Sequence, residues 1–175
     1  MEDYIRKMVL SSVLIAFGVA ISPFLHFPFL TTKCYPGQHM INVVAGVLLG
    51  PLWAALIAAI IGIIRMTLGV GTIYSIPGGI PGGVVVGIFS ILFRRMKFPR
   101  IEFAAFTEPI GTVLIGGTLS VYVVAPLIGD VKLVGLLIPI WIMFGVSSVV
   151  GSVLGFTILK VMSIAGIFRE YFAPS

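Results

Sequence analysis

The chain has 175 residues, of which 59% are hydrophobic and 10% charged, and its mean hydropathy is +1.19. Soluble domains carry roughly 25% charged residues, so this chain lacks the polar surface to cover a core in water and is built for lipid, with no room beside the membrane domain for a soluble catalytic one. The net charge of +5 does not point to nucleic acid, because the basic residues stand at segment ends, and the lone Cys34 excludes an intramolecular disulfide or a cysteine-rich metal site.

A helix needs about 20 mainly apolar residues to cross a bilayer, fewer if it is broken or tilted. By that ruler the first segment is 8–25, and no small-residue cleavage site follows it, so it is read as a retained helix. Its stretch SSVLIAFGVA places Ser12, Ala16 and Ala20 at i, i+4 and i+8. Such a stripe of small residues serves either internal packing or close docking by another membrane subunit.

Next comes TKCYPGQHMINVVAGVLLGP, residues 32–51, with many of the chain's few polar groups crowded into its first half. Cys34 reads as a free bystander thiol in a loop. Gln38 and Asn42 are four apart and share a face if the helix starts that early, while His39 projects about 100° away. With Tyr35 they could orient a neutral, aromatic, hydroxyl-bearing ligand. The competing reading is an interfacial belt of Tyr and polar caps.

The second segment, 40–50, is broken by Pro51 from a third, 52–68, in which Trp53 suits an inner interfacial anchor and Arg65 lies near the outer end. A charge within a membrane segment costs about 2.5–3.5 kcal/mol on insertion scales, so Arg65 is expected to face a cavity or a partner rather than to snorkel. GVGTIYSIPGGIPGG, residues 69–83, reads as a tight outer loop whose Tyr74 and Ser75 reach inward, before a fourth segment at 80–93. The second and fourth are too short to span alone, so their ends are expected to continue at membrane depth beside a cavity.

RRMKFPR, residues 94–100, is a basic connection. The fifth segment, 103–128, carries Glu108 early, about 8 Å in at about 1.5 Å per residue, followed by Pro109. A structural pair or a contact to another subunit is preferred for Glu108 over proton coupling, and a direct ion pair with Arg65 is not expected. The sixth, 134–161, has Trp141 near its outer end, where it could stack on a ring, and Gly151 and Gly155 suited to internal packing.

With the N-terminus inside, Arg6, Lys7, Arg94, Arg95, Lys97, Arg100, Lys160 and Arg169 are cytoplasmic and only Lys33 and Lys132 lie in outer loops. That satisfies the positive-inside rule. The expected fold is thus an all-α integral membrane protein, one domain over 1–175 with about six transmembrane helices in a compact bundle and both termini cytoplasmic. The outer connections at 26–38, 69–79 and 127–135 then share one end. No Ser-His-Asp set, metal-ligand cluster or nucleotide loop is present, so neither an enzyme nor a cofactor is expected.

The A-x-x-x-A of Ala16 and Ala20 with a polar outer loop resembles the substrate-binding subunits of energy-coupling factor (ECF) vitamin transporters. CYPGQHMINVVAGVLLGP (34–51), RMTLGVGTIYSIPGG (65–79) and EPIGTVLIGG (108–117), in that order, resemble the ThiW group over nearly the whole chain. The resemblance implies capture of the thiamine precursor 4-methyl-5-(2-hydroxyethyl)thiazole from outside. It also implies docking through Ala16 and Ala20 on a transmembrane coupling protein that carries two ATPases, and Ser12 on the same stripe is expected to join that face. Tyr35, Gln38, His39, Asn42, Arg65, Tyr74 and Trp141 are the expected ligand residues. Alternatives are a subunit for thiamine or another precursor, or a stand-alone ion-coupled transporter using Arg65 and Glu108.

Overall fold

The computed structural model describes residues 2–29 and 32–167; Arg169, counted above among the inner charges, lies outside them. Among the described residues there are six helices and one small hairpin. In chain order they are α1 (Glu2–Ile21), β1 (Phe27–Phe29), β2 (Thr32–Cys34), α2 (Pro36–Leu49), α3 (Pro51–Thr67), α4 (Ser75–Arg95), α5 (Ile101–Leu127) and α6 (Leu137–Ile164). Helices α1, α4, α5 and α6 are long and apolar enough to cross a membrane, and α3 and α2 are shorter. The polarity is that of a protein in lipid. Large apolar side chains such as Val13, Phe17, Ile110, Leu114, Ile142 and Val153 cover the outside, while Asn42, Arg65, Glu108 and Ser148 are buried.

Helix α2 is the centre. It starts at Pro36, whose fixed φ and missing N–H suit a first helical position. It ends at Gly50, whose φ of +88° lets the chain reverse into Pro51 and α3. Every α2 residue except His39 is buried, enclosed by α1, α3, α4, α6 and the start of α5. A 14-residue helix wrapped on all sides need not span lipid, which accounts for its shortness.

The sequence 69–83 departs from the loop expected there, since α4 begins at Ser75 and runs through Pro77 and Pro81. Pro77 falls in the first turn, where its missing N–H costs nothing. The glycines that suggest a loop are contact points: a Cβ on Gly78 would strike Phe144, and one on Gly83 would crowd Ala54. Small residues let helices approach where lipid gives no hydrophobic drive for association. The outer connection at 26–38 is likewise more ordered than expected, since Phe27 pairs with Cys34 and Pro28 with Lys33 in an antiparallel ladder.

Helix α5 is irregular. Residues Ile101–Thr107 wind as a 3₁₀ helix, and Ile110–Gly117 and Ser120–Val124 widen to π geometry. A 3₁₀ turn rises about 2.0 Å per residue instead of about 1.5. Glu108, just beyond the 3₁₀ stretch, meets the first turns of α2 at His39 and Asn42.

Helix α1 is peripheral. It packs on α3 and α2 through Ser11, Leu14 and Gly18, leaving Ser12, Ala16 and Ala20 exposed. The small-residue stripe is therefore not an internal packing face. Gly151 and Gly155 are, lying against Pro36, His39 and Val43 of α2. The opposite end of the bundle from the hairpin gathers charge: Lys7 pairs with Asp3 at 2.7 Å, Lys160 with Glu102 at 3.1 Å, and Arg94 donates to the Val47 carbonyl at 2.6 Å. Trp53 joins this end with its ring 5.6 Å from that of Tyr4.

Candidate functional site

At the hairpin end lies a cavity of about 820 Å³. Strand β2 and the turn after it bring Lys33, Cys34 and Tyr35 to its edge, and the first turn of α2 brings Gln38 and His39. Arg65 enters from the end of α3 and Tyr74 from the α3–α4 connection. Helix α6 supplies an apolar wall through Pro139, Ile140, Met143 and Phe144. A smaller groove of about 500 Å³ at the charged end is open and lacks such a set of converging buried polar side chains.

Arg65 is 2% exposed. Its guanidinium sits 4.1 Å from the centre of the Tyr35 ring and donates through Nη1 to the Gln38 side-chain oxygen. The Gln38 amide then donates to the Ser75 carbonyl at 3.1 Å. One chain of contacts thus ties α3, α2 and the start of α4 together, with a cation–π contact replacing part of the lost hydration. Tyr35 is held from behind by its backbone N–H, which donates to Ser147 Oγ at 3.0 Å.

Beneath this layer lies Glu108, wholly buried. Its Oε1 lies 2.8 Å from His39 Nδ1 and accepts from Asn42 Nδ2 at 3.2 Å and Thr112 Oγ1 at 2.6 Å, and its Oε2 accepts from Ser148 Oγ. Asn42 also donates to the Gly79 carbonyl at 2.9 Å, and Thr112 Oγ1 lies 2.9 Å from the Gly78 carbonyl. Glycines at these positions of α4 leave its carbonyls uncovered for side chains of α2 and α5. A buried carboxylate is tolerable only with such a complete set of donors. Arg65 and Glu108 make no direct pair; the adjacent residues Gln38 and His39 stand between them.

Of the residues expected at the site, the structure brings Tyr35, Gln38, His39, Arg65 and Tyr74 to the cavity and places Asn42 in the layer below. Trp141 lies elsewhere: it packs on Gly117 of α5 and donates from its indole N–H to Thr118 at 3.3 Å. Its position along α6 was readable from sequence, but its direction depends on how closely α5 approaches. Cys34 is a strand residue in the cavity wall rather than a bystander in a loop. Its Sγ lies 3.6 Å from the Met143 carbonyl, and burial pushes its thiol pKa up. Glu108, Thr112, Ser147 and Ser148 were not foreseen as one cluster. Glu108 and Thr112 are four apart, as one helix face requires, but the contacts that join them and the two serines to the rest of the site span 40 to 112 residues and leave no periodic signal in the chain.

Over the cavity, Tyr74 donates to Asp130 at 2.7 Å, linking the α3–α4 connection to the α5–α6 connection. The latter has positive φ at Gly129 and Gly135, and its Leu133 and Leu136 face the cavity. Among the described residues no His, Cys, Asp or Glu cluster suited to a metal ion is found.

A family model described as thiamine-precursor transporter protein (ThiW) matches residues 8–165. No curated protein matches the sequence.

Proposed function

The chain belongs to the ThiW family of thiamine-precursor transporter proteins, and on that premise we propose that it captures 4-methyl-5-(2-hydroxyethyl)thiazole in the cavity between the hairpin and α6. The observation that carries this reading is the convergence of Tyr35, Gln38, His39 and Arg65 on one apolar-walled space. Small-molecule sites combine mainly apolar walls with a few placed polar groups, in volumes of about 300–1,000 Å³. A flat neutral heterocycle suits the Phe144, Met143 and Tyr35 walls, and its hydroxyl and ring nitrogen suit His39 and Arg65.

In this reading the cavity end faces outside, the charged end and both termini face the cytoplasm, and all six helices lie in the membrane. The distribution of Lys and Arg supports that orientation. Transport is energised by separate chains. The exposed Ser12, Ala16 and Ala20 of α1 form the face on which an ECF coupling protein with two ATPases docks, because small side chains permit close helix contact in lipid.

The test is a thermal-shift screen of detergent-purified protein against thiamine, its thiazole and pyrimidine halves, riboflavin and biotin. Ligand at about 100 times its dissociation constant stabilises by about 2.7 kcal/mol. A raised melting temperature with the thiazole and not with riboflavin or biotin is expected. Stabilisation by thiamine or the pyrimidine instead would replace the substrate, and no response from folded protein would end the reading.

A further inference from the structure

We propose that Glu108 holds His39 as a neutral imidazole with Nε2 turned into a hydrogen-bond acceptor, so that the cavity selects a ligand carrying an O–H or N–H donor. This rests on the reading of the cavity as the ligand site and adds the chemistry by which that site discriminates.

The argument begins at the carboxylate. Asn42 Nδ2–H and the Thr112 hydroxyl donate to its Oε1 and the Ser148 hydroxyl to its Oε2, the donor set of a carboxylate with no proton to give, so the proton in its 2.8 Å contact with His39 is assigned to Nδ1. Which ring nitrogen of a neutral histidine carries the proton is set by the bond the other one makes. Nε2 is then an acceptor. His39 lines the cavity and keeps 12% of its side chain accessible, and with Nδ1 held from behind, Nε2 is the ring atom left to meet a ligand.

Charge decides for the neutral ring over the imidazolium. Arg65 and Lys33 already bring two cations to the same cavity. Glu108 needs no positive partner, because Asn42, Thr112 and Ser148 donate to it as well. A protonated His39 would give the Arg65–His39–Glu108 group a net positive charge at low dielectric, whereas a neutral one leaves Arg65 and Glu108 balanced. The adjacent Gln38 side chain is already engaged, its oxygen accepting from Arg65 and one amide N–H donating to the Ser75 carbonyl. A ligand hydroxyl approaching His39 therefore meets an acceptor, and an ether oxygen in the same place meets lone pair against lone pair. Glu108 acts here as a positioning residue.

The experiment compares 4-methyl-5-(2-hydroxyethyl)thiazole with its O-methyl ether on the wild-type protein by binding titration. The alcohol is expected to bind about tenfold or more tightly than the ether. Equal affinities would overturn the acceptor assignment and leave the functional reading standing, while no binding of either would overturn both. Two further measurements separate positioning from mere structure. Glu108→Gln keeps an oxygen for Nδ1–H and should retain the alcohol preference, whereas Glu108→Leu should lose it. Nitrogen-15 spectra of histidine-labelled protein, whose second histidine, His26, is removed as His26→Gln for assignment, should show His39 protonated at Nδ1 alone. A proton on Nε2 would contradict the proposal even where the Leu variant fails to fold.

Discussion

Arg65 shows how one residue can be expensive and still belong. In a membrane segment its charge costs about 2.5–3.5 kcal/mol, and it is offset by a ring face, an amide oxygen and an open cavity rather than by an acid. A residue so placed was readable as facing a cavity or a partner from its position alone; its partners were not, since Tyr35 and Gln38 lie about thirty positions away. Tyr74 gives a prediction at this scale. Burial, and then its bond to the Asp130 carboxylate, push the Tyr74 hydroxyl up to about 12. A raised folded-state value means stabilisation that is complete below the ordinary tyrosine value of about 10 and is lost as pH climbs through about 12. Tyr74→Phe should therefore cost about 1 kcal/mol, equally at pH 7 and pH 9, with the gap closing above pH 10. Thermal unfolding of the two proteins across that range checks it, and a gap that already changes between pH 7 and 9 would contradict it.

Among the elements, long apolar helices were the legible part. The first, third and sixth expected segments lie within or close to α1, α3 and α6, since hydropathy over such lengths has few other solutions in lipid. The PGGIPGG of α4 misled because glycine and proline mean loop in water. In a bundle they mean close approach, and only the neighbouring helices reveal which applies. The start of α2 at Pro36 instead of Met40 matters most, because it turns Gln38 and His39 from loop residues into rigidly held ones. Helix α1 carries a prediction of its own. Ala16 is exposed and off the packed face of Ser11, Leu14 and Gly18, so Ala16→Leu should leave ligand stabilisation unchanged while abolishing thiazole uptake by cells that supply the coupling protein and ATPases. Unimpaired uptake would remove this stripe from the docking account.

For the whole molecule, the bundle separates two ends by the length of α2. One holds a cavity above a satisfied buried carboxylate, the other the charged residues Lys7, Arg94 and Lys160 with Asp3 and Glu102. The division was visible in the charge pattern, whereas the link between Arg65 and Glu108 through Gln38 and His39 required the fold. The most direct test of the central claim is equilibrium binding of labelled hydroxyethylthiazole to purified wild-type protein and to His39→Ala and Arg65→Ala. One site per chain in the wild type, weakened about tenfold or more in each variant, is the predicted result. Unchanged affinity in both variants, each shown to be folded, would place the ligand somewhere other than this cavity and contradict the account.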